Sequence, residues 1–149
     1  MHKQILLEKL EDVQAFAQGV AKLLTPGLVI FLQGDLGVGK TTFVRAVLHA
    51  LGYTEKVKSP TYTLVETYVI GALTIYHFDL YRLNDAEELW YLGIEEYFAQ
   101  DAITFVEWPE QGRGVLPAPD LLFCYQGRQL TIEAKSTPGK ALLEKLYVA

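Results

Sequence analysis

Apolar residues along this chain recur in two rhythms, one suited to helices and one to strands. Residues Gln4 to Leu7 predict a short first strand. Val13, Phe16, Ala17, Val20 and Leu23 then fall at helical spacing, with Glu11 and Asp12 at the end where the helix dipole favours acidic groups. Thr25-Pro26-Gly27 breaks that helix. Leu28 to Leu32 is a continuous apolar run, which predicts a strand buried on both faces. After a glycine-rich loop, Phe43, Val44, Val47, Leu48 and Leu51 return to helical spacing, and Gly52 closes the helix.

The second half changes character. Tyr62 to Ile70 and Leu73 to Leu80, rich in Thr, Tyr, Val and Ile and separated by Gly71, predict a β-hairpin. Asn84 with Glu87 reads as a capping box for a helix running to about Phe98. Ile103 to Val106 is a further short strand. Leu121 to Tyr125 and Leu130 to Ala134 flank a turn and form a second hairpin, and Pro138 to Leu146 is a final helix. The Pro- and Gly-containing stretch from Pro109 to Pro119 is a surface loop within one domain. Strands alternating with helices, then hairpins, predict an α/β domain with a mixed sheet, parallel at its centre and antiparallel at its edge.

Composition narrows the class without naming a function. The 149 residues are 50% hydrophobic and 21% charged, typical of a folded domain and unlike a disordered chain. A single domain over residues 1–149 is expected, burying roughly 70% of its unfolded surface. The longest apolar run, Leu28 to Leu32, is far too short to cross a bilayer, so no membrane association is expected. The N-terminus shows no secretory signal, and cytoplasm is the expected compartment. Cys124 is alone, which excludes an intrachain disulfide and a cysteine-built zinc site. A net charge of −5 argues against gripping nucleic acid by charge alone.

The glycine-rich loop carries the chemistry. Gly34-Asp35-Leu36-Gly37-Val38-Gly39-Lys40-Thr41 matches G-x-x-x-x-G-K-[ST]. Glycines permit positive φ angles, so that successive N–H groups can surround a phosphate. Lys40 sets an ammonium against the β- and γ-phosphates, Thr41 offers a hydroxyl to Mg²⁺, and the following helix turns its positive end toward the same anion. The competing interpretation, a glycine-rich turn with no ligand, fits poorly with the buried strand before the loop and the amphipathic helix after it.

A nucleotide-bound magnesium needs an acidic partner, directly or through water, and the attacking oxygen needs an orienting group. Glu107 ends the strand Ile103 to Val106, where ligands gather in open α/β sheets, and Asp79 lies late in the first hairpin. Lys40, Asp79 and Glu107 are therefore the candidate catalytic residues. Ser59-Pro60-Thr61 reads equally as a switch near the γ-phosphate or as a loop feeding an edge strand. Trp108 could cover the site or face a partner, although a buried tryptophan is the simpler reading. His77 and His49 read as structural or solvated, since this chemistry needs no imidazole.

Guanine-reading N-K-x-D and D-x-x-G elements are absent, and the four arginines form no kinase-type lid. A nucleoside triphosphatase with no visible second substrate points to hydrolysis coupled to a partner protein. A small-molecule or nucleotide kinase and a nucleotide-gated scaffold that needs no hydrolysis stay open as alternatives.

GDLGVGKTTF (Gly34 to Phe43), SPTYTLV (Ser59 to Val65), HFDLYRL (His77 to Leu83) and FVEWPE (Phe105 to Glu110) occur in order, and together they resemble the TsaE family, formerly called YjeE. The resemblance implies a P-loop ATPase that associates with the TsaB–TsaD complex. That complex transfers threonylcarbamoyl to adenosine 37 of tRNAs reading ANN codons, and the ATPase reaches tRNA only through it. A cytoplasmic protein, monomeric in isolation, is expected. By the same resemblance Lys40 and Thr41 serve phosphate and Mg²⁺, Thr42 lies beside them, and Glu107 is a second magnesium-side ligand. Asp79 is the other acidic position, Ser59 to Thr61 the switch loop and Trp108 the adjacent aromatic. Adenine contacts, including any from the loop around Arg128, are left open. Val38 and Tyr62 replace the Ala and Phe common in the family.

Overall fold

The computed structural model describes residues 1–60, 62–99 and 101–146. Its centre is one seven-stranded sheet. In chain order the strands are β1 (His2–Leu6), β2 (Val29–Gln33), β3 (Val65–Ile70), β4 (Leu73–Asp79), β5 (Ile103–Glu107), β6 (Leu121–Gln126) and β7 (Gln129–Ala134). They lie side by side as β1-β7-β6-β2-β5-β4-β3. The four middle strands β6, β2, β5 and β4 are mutually parallel, and the outer pairings are antiparallel, as the order of helices and hairpins predicts.

Helices α1 (Leu10–Ala21) and α2 (Lys40–Ala50) cover one face. Asp12 accepts hydrogen bonds from the backbone N–H groups of Glu8 and Lys9, which stabilises the start of α1. The α2 C-terminus is a Schellman motif: Tyr53 N donates to Leu48 O and Gly52 N to His49 O, both at 3.0 Å, with Gly52 left-handed at φ 98°. Beneath these helices Phe16, Phe43, Phe105 and Phe123 form an aromatic core with ring centroids 5.3 to 6.1 Å apart. A final helix, α5 (Thr137–Lys145), is capped by Ser136, whose hydroxyl accepts from Gly139 N at 3.0 Å.

The opposite face has a smaller core of Phe78, Leu80, Leu89, Ile94 and Val106. Two sequence expectations change there. The helix expected from Asn84 to Phe98 is two short helices, α3 (Glu88–Tyr91) and α4 (Ile94–Phe98), because Gly93 turns left-handed at φ 80°. The cap comes from Glu88, not Glu87: its Oε2 accepts from the N–H groups of Asn84 and Asp85. The central strand β2 is also less enclosed than its apolar run suggests. Ile30 and Leu32 are fully buried under the helices, but Val29 and Phe31 on the other face are half-buried. The first hairpin begins at Val65, and Tyr62 lies outside it, exposed. Among the described residues no helix is long and apolar enough to cross a membrane.

Candidate functional site

Three parallel strands end together at one edge of the sheet. Register aligns Leu32 of β2 with Glu107 of β5, and Glu107 with Asp79 of β4. One row deeper, Ile30, Phe105 and His77 are aligned. Residues aligned across parallel strands share a face, so Glu107, Asp79 and His77 all point toward α2. The glycine-rich loop leaves β2 at this same edge and runs into α2.

The loop conformation explains its glycines. At Gly34, φ is 154°, and a Cβ would lie 2.8 Å from Tyr125 Cβ and 3.1 Å from the Tyr125 carbonyl oxygen. Gly37 and Gly39 meet nothing within 4 Å, so their requirement is the left-handed backbone, φ 78° and 109°. Such turns direct consecutive N–H groups into a concavity suited to an anion, and α2 begins at Lys40 with its positive end facing it. Asp35 and Leu36 are exposed at the loop tip.

Lys40 is 4% exposed. Its ammonium donates to the Gly34 carbonyl across the loop and lies 3.8 Å from the centroid of the Trp108 ring. Burial lowers its pKa, while Glu107, Glu110, Asp79 and Asp35 pull it back up. Trp108 reaches this position through a left-handed backbone, φ 56° and ψ 51°, rare for a large side chain. Its backbone N–H donates to Leu32 O at 3.3 Å, and Tyr81 packs on its ring at 5.0 Å.

Glu107 is 3% exposed, and its Oε2 accepts two hydrogen bonds, from Thr41 Oγ1 at 2.7 Å and His77 Nε2 at 2.6 Å. Asp79 accepts from Tyr81 N at 3.1 Å. Burial raises its pKa and Glu107 adds to the rise, against the Tyr81 hydrogen bond and the nearby His77 and Lys40. Thr41, Asp79, Tyr81 and Glu107 line a cleft of about 320 Å³ together with Gly37, Gly39 and Thr42. The same three residues also border an adjoining cavity of about 450 Å³ walled by Lys9, Leu10, Val38, Phe43, Tyr125 and Arg128.

No cluster of three or more His, Cys, Asp or Glu side chains able to hold a metal occurs among the described residues. What the cleft offers at the start of α2 is the Thr41 hydroxyl hydrogen-bonded to the Glu107 carboxylate, with the Asp79 carboxylate also in its lining. These are hard oxygen donors, and so few fit a small divalent ion that keeps water and ligand oxygens in its shell.

The structure brings together Lys40, Thr41, Thr42, Asp79, Glu107 and Trp108 around one cleft. Ser59 and Pro60 do not line it, and Thr61 lies outside the described residues. Their neighbour Tyr62 connects to the cleft indirectly: the guanidinium of Arg82, a lining residue, sits 4.6 Å from its ring centroid. Sequence reasoning did not single out Tyr81 or Arg82, and it set His77 apart from the site. The signal for His77 was its offset of two from Asp79 on one strand, which puts both on one face.

Comparison with known proteins agrees with the four ordered motifs. The family model described as threonylcarbamoyl adenosine biosynthesis protein TsaE matches residues 7–138. A Haemophilus influenzae protein called tRNA threonylcarbamoyladenosine biosynthesis protein TsaE is 46% identical over 133 residues, covering 86% of this chain and 84% of that protein. A Bacillus subtilis protein of the same name is 37% identical over 141 residues, covering 91% and 88%. The crystal structure of Bacillus subtilis YdiB superposes with a TM-score of 0.82 at 31% identity, over 98% of this chain and 94% of that one. The chain belongs to the TsaE family.

Proposed function

We propose that this chain is a magnesium-dependent ATPase that supports threonylcarbamoyl modification of adenosine 37 in tRNAs reading ANN codons by acting on the TsaB–TsaD complex. Family membership supports the tRNA-modification role, and the cleft supports the nucleotide chemistry. The observation that carries the enzymatic part is the 2.7 Å hydrogen bond from Thr41 to Glu107 at the start of α2. A hydroxyl can donate its hydrogen to a carboxylate while its lone pair faces a cation, so this pair suits the magnesium side of a bound triphosphate.

In this reading the amides from Gly34 to Thr41, together with Lys40, bind the phosphates, and Thr42 adds a hydroxyl beside them. Thr41 and Glu107 would hold Mg²⁺, which when bound neutralises charge on the phosphate oxygens. Asp79, next to Glu107 at the strand ends, orients the attacking water. Trp108 covers the Lys40 ammonium and keeps solvent from that side. The adjoining cavity near Val38 and Arg128 takes the nucleoside end, since it meets the cleft at the loop itself. The segment Ser59 to Thr61 acts as the switch through Tyr62 and Arg82.

The test is phosphate release by the chain alone and with TsaB and TsaD. Slow hydrolysis alone, changed on adding the two partners, is expected. No ATP consumption in the ternary mixture would overturn the enzymatic reading, and transfer of phosphate to an added small acceptor would favour a kinase instead.

A further inference from the structure

His77 is fully buried on β4, in the row occupied on β5 and β2 by Phe105 and Ile30. An apolar residue would satisfy packing there, and a buried polar group lowers stability unless it is hydrogen-bonded. Only one of its ring nitrogens is satisfied. Nε2 lies 2.6 Å from Glu107 Oε2, whereas Nδ1 is buried without a hydrogen-bond partner among the described residues. A carboxylate can only accept, so the hydrogen in that contact is on Nε2. The polarity of His77 is thus directed at one atom.

That atom is shared. Oε2 of Glu107 receives both His77 Nε2–H and Thr41 Oγ1–H, and neither donor uses Oε1. Two donors arriving from β4 and α2 fix the carboxylate's rotation about its terminal bond. Without the histidine only the Thr41 hydroxyl remains, and a hydroxyl rotates freely.

We propose that His77 is a positioning residue: its Nε2–H locks Glu107 so that Oε2 orients the Thr41 hydroxyl and Oε1 is left for the shell of the divalent ion. The inference rests on the proposed role of Thr41 and Glu107 toward magnesium nucleotide. Groups that hold a metal-side carboxylate in this way commonly change metal affinity when removed, without touching the metal.

The experiment measures ATP affinity calorimetrically while magnesium is varied, for the wild type, His77→Leu and His77→Gln, with thermal unfolding of each recorded. Leucine fills the space without a donor, whereas the glutamine amide can present N–H near the Nε2 position. The magnesium requirement of His77→Leu should rise by about tenfold or more. His77→Gln should return close to wild type, and His77→Leu should add nothing in a Glu107→Gln background. If His77→Leu does not unfold cooperatively, His77→Phe takes its place. An unchanged magnesium requirement in the donor-less variant, or an equal loss in His77→Gln, overturns the proposal. A wild-type protein whose ATP binding ignores magnesium would instead overturn the functional reading beneath it.

Discussion

Thr41 and Glu107 are 66 positions apart in the chain and 2.7 Å apart in space. Topology brings them together. Parallel pairing sets Glu107 level with Leu32, and the loop beginning at Gly34 returns the chain over that strand end before α2 starts at Lys40. A hydroxyl at the first turn of a helix and a carboxylate at the end of a neighbouring strand then meet at one end of the sheet.

Lys40→Ala should weaken ATP binding by about 10- to 100-fold, the scale of one or two charge-assisted hydrogen bonds to phosphate. The fold should survive, because the ammonium is buried against its own loop and a tryptophan face and not within the apolar core. Calorimetric titration and thermal unfolding check both halves. Loss of cooperative unfolding would contradict the assignment of Lys40 to ligand over fold.

Gly34→Ala and Gly37→Ala should differ. Both force an L-residue into a strained backbone, roughly 1–2 kcal/mol each. Only Gly34 also meets Tyr125 Cβ at 2.8 Å and its carbonyl at 3.1 Å, and backbone cannot rotate away. Urea unfolding should show Gly34→Ala as clearly the less stable protein. Equal losses would mean that the contact with Tyr125 is not rigid.

Asp79→Asn should make the nucleotide-free protein more stable at neutral pH while impairing hydrolysis. Burial raises the Asp79 pKa, so the folded state holds this proton more tightly than the unfolded state does. The charged form therefore destabilises the fold at pH values above the folded pKa, and the penalty fades as pH falls through it. Asparagine keeps an oxygen for Tyr81 N and removes the charge. The advantage of the variant over wild type, read from melting midpoints across pH, should disappear below about pH 4, where the aspartate is neutral in both states. A gain that grew on acidification would reverse this sign.

Phe105→Ala should cost about 3–5 kcal/mol, as expected for an aromatic removed from a closed core. Phe105 has no exposed surface and meets Phe43 edge-on at 6.1 Å, so it links β5 to α2. Chemical denaturation measures it; a loss below 1 kcal/mol would show that α2 can settle into the gap.

Much of this arrangement was legible in the sequence because local rules and tertiary structure agree there. The loop pattern, the strand before it and the helix after it specify one another, and Gly52 ends α2 by the left-handed turn its position predicts. Glu107 could be placed because it follows a short, mostly apolar strand. The segment from Asn84 to Phe98 was harder. Its cap residues suit a helix at either Glu87 or Glu88, and Gly93 was free to continue the helix or turn left-handed until packing against Phe78 and Leu80 decided. His77 was missed for a related reason. Its hydrogen-bond partner lies 30 positions away, and no local pattern announces that contact. The two faces of β2 were also indistinguishable, since an apolar run does not reveal that only one face is fully covered.

The most direct measurement is a crystal structure of the protein with magnesium and a non-hydrolysable ATP analogue. The expected result has the β- and γ-phosphates wrapped by the amides of residues 34 to 41, Lys40 on their oxygens, and the metal beside Thr41 and Glu107. Nucleotide bound elsewhere, with the bend between Gly34 and Gly39 holding no phosphate, would contradict it.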